Sequence, residues 1–128
     1  MNGKNLKITN KPHKKLEAWK KAIVLTIKIY KLTEKLPETE KFGLISQMRR
    51  AAVSVASNIA EGAARNTKKE FIQFLFNAQG SLSELDTQII ICKELGYVSD
   101  KDCDSINQEM EEESKLIAGL IKHLRKEK

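Results

Sequence analysis

The sequence predicts an all-α fold, an up-down-up-down antiparallel four-helix bundle. Three observations predict it. The 128 residues hold only two prolines and six glycines, too few interruptions for a strand-rich chain. Apolar residues recur at alternating three- and four-residue steps over long stretches, which is the period of a helix seam. Cap and turn signals divide the chain into four such stretches with short connections, and helices joined that way become antiparallel neighbours.

The first helix is predicted from about Leu16 to Lys35. Ala18, Ala22, Leu25, Ile29, Leu32 and Leu36 form a heptad seam. Leu16, Trp19, Ile23, Ile27 and Tyr30 make a second apolar stripe beside it, as contact with two neighbours requires. Pro37 ends the helix, since the residue before a proline avoids the helical region.

The second helix starts near Phe42 and carries small residues almost throughout, with Gly62 as its natural stop or a short extension through Ala63 and Ala64. Wrapped on a helix, Gln47, Arg50, Ser54, Ser57, Asn58, Glu61 and Arg65 share an arc of about 100°. Arg49 sits alone within the opposite, apolar arc. The polar arc reads in three ways: a solvated edge, a buried self-satisfying stripe, or a contact for a ligand or RNA. The preferred reading is structural, with Arg49, Arg50, Ser54, Asn58 and Glu61 acting inside the bundle or between subunits. A buried arginine needs a partner because an unpaired buried charge is costly.

Thr67 with Glu70 has the form of a capping box and opens the third helix. Phe71, Leu75, Ala78, Leu82, Leu85, Ile89 and Cys92 form its seam, widened by Ile72, Phe76 and Ile90, and Gly96 ends it. Ser99 with Asp102 caps the fourth helix, which runs to about Arg125. Its seam is Cys103, Ile106, Met110, Glu113, Ile117, Leu120 and Leu124, broken only by Glu113. The acidic run Glu109, Glu111, Glu112 and Glu113 reads as a solvated face.

Length and composition describe one domain with an ordinary soluble balance, 31% charged against 41% hydrophobic residues. Residues 14–128 form the bundle, and 1–13 a basic N-terminal arm. The net charge of +6 is uneven: residues 1–35 hold ten lysines against Glu17 and Glu34. Chain direction brings Lys14, Lys15, Arg65, Lys68, Lys69, Lys122 and Arg125 to the end of the bundle where both termini lie. That basic pole suits phosphates, and with seven aromatic residues mostly on apolar stripes it does not suit base stacking.

No secretory signal opens the chain and no apolar run approaches the roughly 20 residues of a membrane span, so a cytoplasmic protein with no membrane partner is expected. Cys92 and Cys103 read as buried thiols, and His13 and His123 lie at opposite ends, so no metal site is expected. Di-metal bundles need Glu-x-x-His pairs, which are absent, and no phosphate loop or nucleophile motif occurs. No catalytic residue and no cofactor is therefore expected.

Beyond these residue-level readings, most of the chain resembles a known family. The residues that carry the resemblance are Trp19, Tyr30, Gly43-Leu44, Gln47, Arg49 to Ser54, Asn58 to Gly62, Arg65, Phe71, Leu75, Gly80-Ser81, Leu85 and Gly96-Tyr97. The family is that of the small four-helix proteins encoded in intervening sequences of bacterial 23S ribosomal RNA genes, for which the resemblance implies no biochemical role; the related accessory variability proteins of diversity-generating retroelements share the pattern. The resemblance implies a ring-shaped homopentamer. The retroelement relatives bind nucleic acid and a reverse transcriptase and are not themselves enzymes. Two function classes follow: a non-enzymatic scaffold that binds RNA or DNA through phosphates, or an adapter for a nucleic-acid-processing protein without affinity of its own.

Overall fold

The computed structural model describes His13 and residues 16–126. The predicted arm, His13 apart, and Lys14 and Lys15 lie outside the described residues. Four helices follow one another: α1 (Glu17–Thr33), α2 (Leu44–Ala63), α3 (Lys68–Glu94) and α4 (Asp100–Lys126). A 3-10 turn, Glu38–Glu40, sits between α1 and α2, and no strand occurs among the described residues. Each helix packs on its two neighbours in the cycle α1, α2, α3, α4, and the α2–α3 pair is the most extensive. This is the predicted up-down-up-down bundle.

The core is built from the predicted seams. Ala22, Leu25, Ile29, Met48, Val55, Ile59, Leu75, Leu85, Ile89 and Ile117 are almost wholly buried. On α4, Leu120 and Leu124 are half-buried at the rim, and Ile121 takes the buried place at that end. The second stripe of α1 divides. Leu16 and Trp19 pack against the core, whereas Ile23, Ile27 and Tyr30 are exposed.

Caps differ in detail from their sequence signals. Thr67 accepts the Glu70 amide at 3.1 Å, but the Glu70 carboxylate accepts from the Thr67 hydroxyl at 3.0 Å instead of its amide. Ser99 accepts the Asp102 amide at 3.0 Å. The start of α2 is served by Glu40, whose Oε1 accepts the Leu44 amide at 3.1 Å, while its Oε2 accepts from the Tyr97 hydroxyl at 3.2 Å. One carboxylate thus ties the α1–α2 connection to the α3–α4 connection.

Two glycines do different work. Gly96 has φ 77°, and the amides of Gly96 and Tyr97 bond the carbonyls of Lys93 and Cys92, which closes α3. Gly62 does not stop α2, which continues through Ala63. Its role is close approach: a Cβ there would lie 2.8 Å from both Phe71 Cδ1 and Phe74 Cβ.

Candidate nucleic-acid interface

Two lysines of α1, and Lys35 just beyond it, are paired with α4. Lys21 pairs with Glu109 at 3.1 Å and with Glu112, Lys28 pairs with Glu109, and Lys35 pairs with Asp102 at 2.7 Å. Hydrogen bonds from Lys28 and then Lys21 hold the Glu109 carboxyl below its ordinary range. The bond to Lys35 does the same for Asp102. The acidic run of α4 is therefore not merely a solvated face: Glu109 and Glu112 neutralise α1. The lysine excess of the first helix does not make a free patch.

A second group of cations lies at one end of the bundle. Lys68 and Lys69 lie in the first turn of α3, and Lys122, Arg125 and Lys126 in the last turns of α4. Arg65 reaches α3 from the α2 side, over the Phe74 ring at 4.7 Å, and also pairs with Glu61 at 2.6 Å. Arg125 reaches it from the α4 side, over the Phe76 ring at 5.4 Å. All six side chains are exposed. Arg65, Lys68, Lys69, Lys122 and Arg125 thus share one end of the bundle, and Lys126 joins them.

Phe76, like Ile90, is not where periodicity placed it. It widens the α3 seam on paper, yet it is 45% exposed. It forms one wall of a groove of about 500 Å³ with Ala118, Ile121, Lys122, Arg125 and Lys126.

The polar arc of α2 is only partly buried. Ser54 and Asn58 are half-buried, whereas Arg50 and Glu61 are exposed, so the wholly buried stripe is not what one chain forms. Ser54 Oγ meets Ser81 Oγ on α3 at 2.8 Å, and Asn58 Nδ2 donates to Ser54 O at 2.9 Å and to Ser54 Oγ at 3.0 Å. Arg50 lines a cleft between α2 and α3 with Gln47, Ser54, Glu84 and Gln88. Gln88 Oε1 is buried there without a protein partner. Arg49 has a different task. Its Nε donates to Thr33 Oγ1 at 2.9 Å, and its guanidinium lies over the Tyr30 ring at 4.6 Å.

An apolar face is left open across α1 and α2. Ile23, Ile27, Tyr30 and Val53 are exposed there, and Phe42, in the connection between the helices, is 89% exposed. A broad hollow of about 780 Å³ runs between Tyr30, Phe42, Ile45, Arg49 and Val53. An aromatic ring so fully in water is unusual for a finished surface.

The sequence profile of the family described as 23S rRNA-intervening sequence protein matches residues 14–119. The chain belongs to this family. No curated protein matches it significantly. Among solved structures it is similar to a protein with unknown function from the S23 ribosomal protein family of Bacteroides thetaiotaomicron VPI-5482. The two share 24% identity over 82% of this chain and 98% of that one, with a TM-score of 0.74, a likeness of fold.

Three further features complete this intervening-sequence family member. Glu113 is fully buried in the core, and neither carboxylate oxygen has a protein partner. Burial pushes its carboxyl up to about 8, opposed only weakly by Lys21. Cys92 and Cys103 are buried free thiols, and burial pushes Cys92 up to about 11, far from a reactive thiolate. Among the described residues no group of acids, histidines and cysteines is arranged to hold a metal ion, and no helix is long and apolar enough to cross a membrane.

Proposed function

We propose that the protein is a non-enzymatic, homo-oligomeric scaffold that holds nucleic acid by its phosphates on the basic end. The observation that carries this reading is the separation of charge. Glu109 and Glu112 pair with Lys21 and Lys28 of α1, and Asp102 with Lys35 just beyond it, while Arg65, Lys68, Lys69, Lys122, Arg125 and Lys126 cluster at one end with Glu17, Glu61 and Glu70 as the acids of that end among the described residues. Lysines meet phosphates as point charges, so binding is sequence-tolerant and falls steeply with salt. The resemblance to retroelement accessory proteins supports the same reading.

The oligomer is a closed ring, a pentamer by resemblance, and the open apolar face of Ile23, Ile27, Tyr30, Phe42 and Val53 is the surface that other copies cover. Burying such side chains is worth about 25 cal/mol per Å² of apolar area, enough to drive association when several are covered together.

Gel-shift and light-scattering measurements test both halves. Charge reversal at Lys68 and Lys69 should weaken every sequence alike and flatten the salt slope, whereas Glu111→Lys with Glu112→Lys should not weaken binding. If both pairs change RNA affinity equally, only net charge matters and the basic-end reading is wrong. Ile27→Asp should shift the mass from oligomer to monomer, and a parent protein that is monomeric at micromolar concentration would contradict the ring.

The alternative is an adapter for a nucleic-acid-processing protein, without affinity of its own. The observation favouring it is a second exposed apolar group, Ile90, Ile91 and Leu95, near the far end of α3. Absence of RNA and DNA binding at low salt would select this reading.

A further inference from the structure

The groove between α3 and α4 at the basic end combines three properties that phosphate binding alone does not need. Its wall is an aromatic ring, Phe76, with nearly half its surface in water. Its apolar floor includes Ala118 and Ile121, and its rim is Lys122, Arg125 and Lys126. Both helices are free of carboxylates alongside it: α3 has none between Glu70 and Glu84, and α4 none between Glu113 and its end at Lys126. A volume of about 500 Å³ has room for a flat heterocycle.

We propose that this groove receives an unstacked base of a single-stranded nucleic acid, with Phe76 as the stacking surface and Lys122, Arg125 and Lys126 on the flanking phosphates. The proposal rests on the nucleic-acid reading above and adds strand selectivity to it. In a duplex the base faces are already stacked on one another, so an apolar floor gains nothing and only the phosphates are contacted. In a single strand a base turns outward and covers the apolar surface, which every base does because every base has a π-face. The Arg125 guanidinium lies over one face of the ring at 5.4 Å, and a base that takes that face displaces it toward a flanking phosphate. The selectivity is therefore for strandedness and not for sequence. It reverses the sequence-based expectation that this protein lacks a stacking platform, because that expectation placed Phe76 in the core.

An acidic peptide with a bulky apolar residue would meet the same floor and rim. What favours a nucleic acid is the continuation of positive charge beyond the groove, through Lys69, Lys68 and Arg65, as a repeating phosphate chain needs.

The test uses the full-length protein with a fluorescently labelled single-stranded RNA of mixed sequence and the duplex of the same length, in fluorescence anisotropy at low salt. The parent should bind the single strand more tightly. Phe76→Leu, which keeps apolar bulk but removes the ring, should lose about tenfold of single-strand affinity and leave duplex affinity within about twofold. Phe76→Trp should retain or exceed the parent's single-strand affinity, and light scattering should show both variants with the parent's mass. Lys122→Glu with Lys126→Glu should weaken both strands. Equal binding of the two strands by the parent, or full single-strand affinity in Phe76→Leu, overturns base docking alone and leaves the groove to a peptide. Absence of binding to either strand overturns the nucleic-acid reading itself.

Discussion

Arg49 of α2 lies over the Tyr30 ring of α1 at 4.6 Å while its Nε donates to Thr33 Oγ1 at 2.9 Å. Thr33 is fully buried and its hydroxyl donates in turn to the carbonyls of Ile29 and Tyr30. The last turn of α1 is therefore clamped by a charge from the next helix. Thr26 adds a second tie, from its hydroxyl to Ala52 O at 3.1 Å.

Arg49→Ala should lower stability by about 1–2 kcal/mol, the combined scale of a hydrogen bond to a charged group and a cation–π contact. Arg49→Lys should recover only part of it, because an ammonium lacks the planar fork. Urea denaturation checks both, and a parent-like midpoint in Arg49→Ala would show that the clamp is not stabilising.

Glu113 should make the protein less stable as pH rises. The carboxyl titrates near 4.5 when unfolded and at about 8 when folded. Between those values the folded chain holds a proton that the unfolded chain has released, so unfolding free energy falls with pH through that window. Below it the Glu113 carboxyl is neutral in both states, and above it the penalty is complete. Glu113→Leu should remove this part of the slope and raise stability at pH 8 by about 2 kcal/mol, the scale of a buried polar group without a partner. Urea midpoints for parent and variant from pH 5 to 9 check this, and matching slopes would contradict the burial argument.

Two glycine substitutions should act in opposite directions. Gly62→Ala places a Cβ 2.8 Å from Phe71 Cδ1 and Phe74 Cβ, an overpacking that costs about 1–3 kcal/mol. Gly119→Ala on α4 meets nothing within 4 Å and should stabilise by about 0.5–1 kcal/mol through helix propensity. Thermal melts of the two variants compare them directly, and a stabilising Gly62→Ala would mean that α2 and α3 can separate freely.

Asn58 and Glu61 should separate as well. Asn58→Leu removes both bonds to Ser54 from a half-buried site and should cost about 1 kcal/mol. Glu61 forms an exposed i,i+4 pair with Arg65, so Glu61→Leu should cost less than about 0.5 kcal/mol within one chain. Chemical denaturation below the association range checks the contrast. A large loss in Glu61→Leu would place that carboxylate in a subunit contact.

The sequence by itself determined the number of helices, their seams and most of their boundaries. These depend on a 100° step along one helix and on caps whose partners lie three or four residues away, as at Thr67 with Glu70 and Ser99 with Asp102. It also brought Arg65, Lys68, Lys69, Lys122 and Arg125 to one end, because direction alternates along an up-down bundle. The tertiary structure alone decided how each helix is rotated about its axis. That rotation is a compromise among all packed faces, and a helix wheel does not contain it. It turned Ile23, Ile27, Tyr30 and Phe76 to the surface. It also set Lys28 against Glu109, 81 positions away in the chain, so that part of the positive charge of α1 is neutralised by α4.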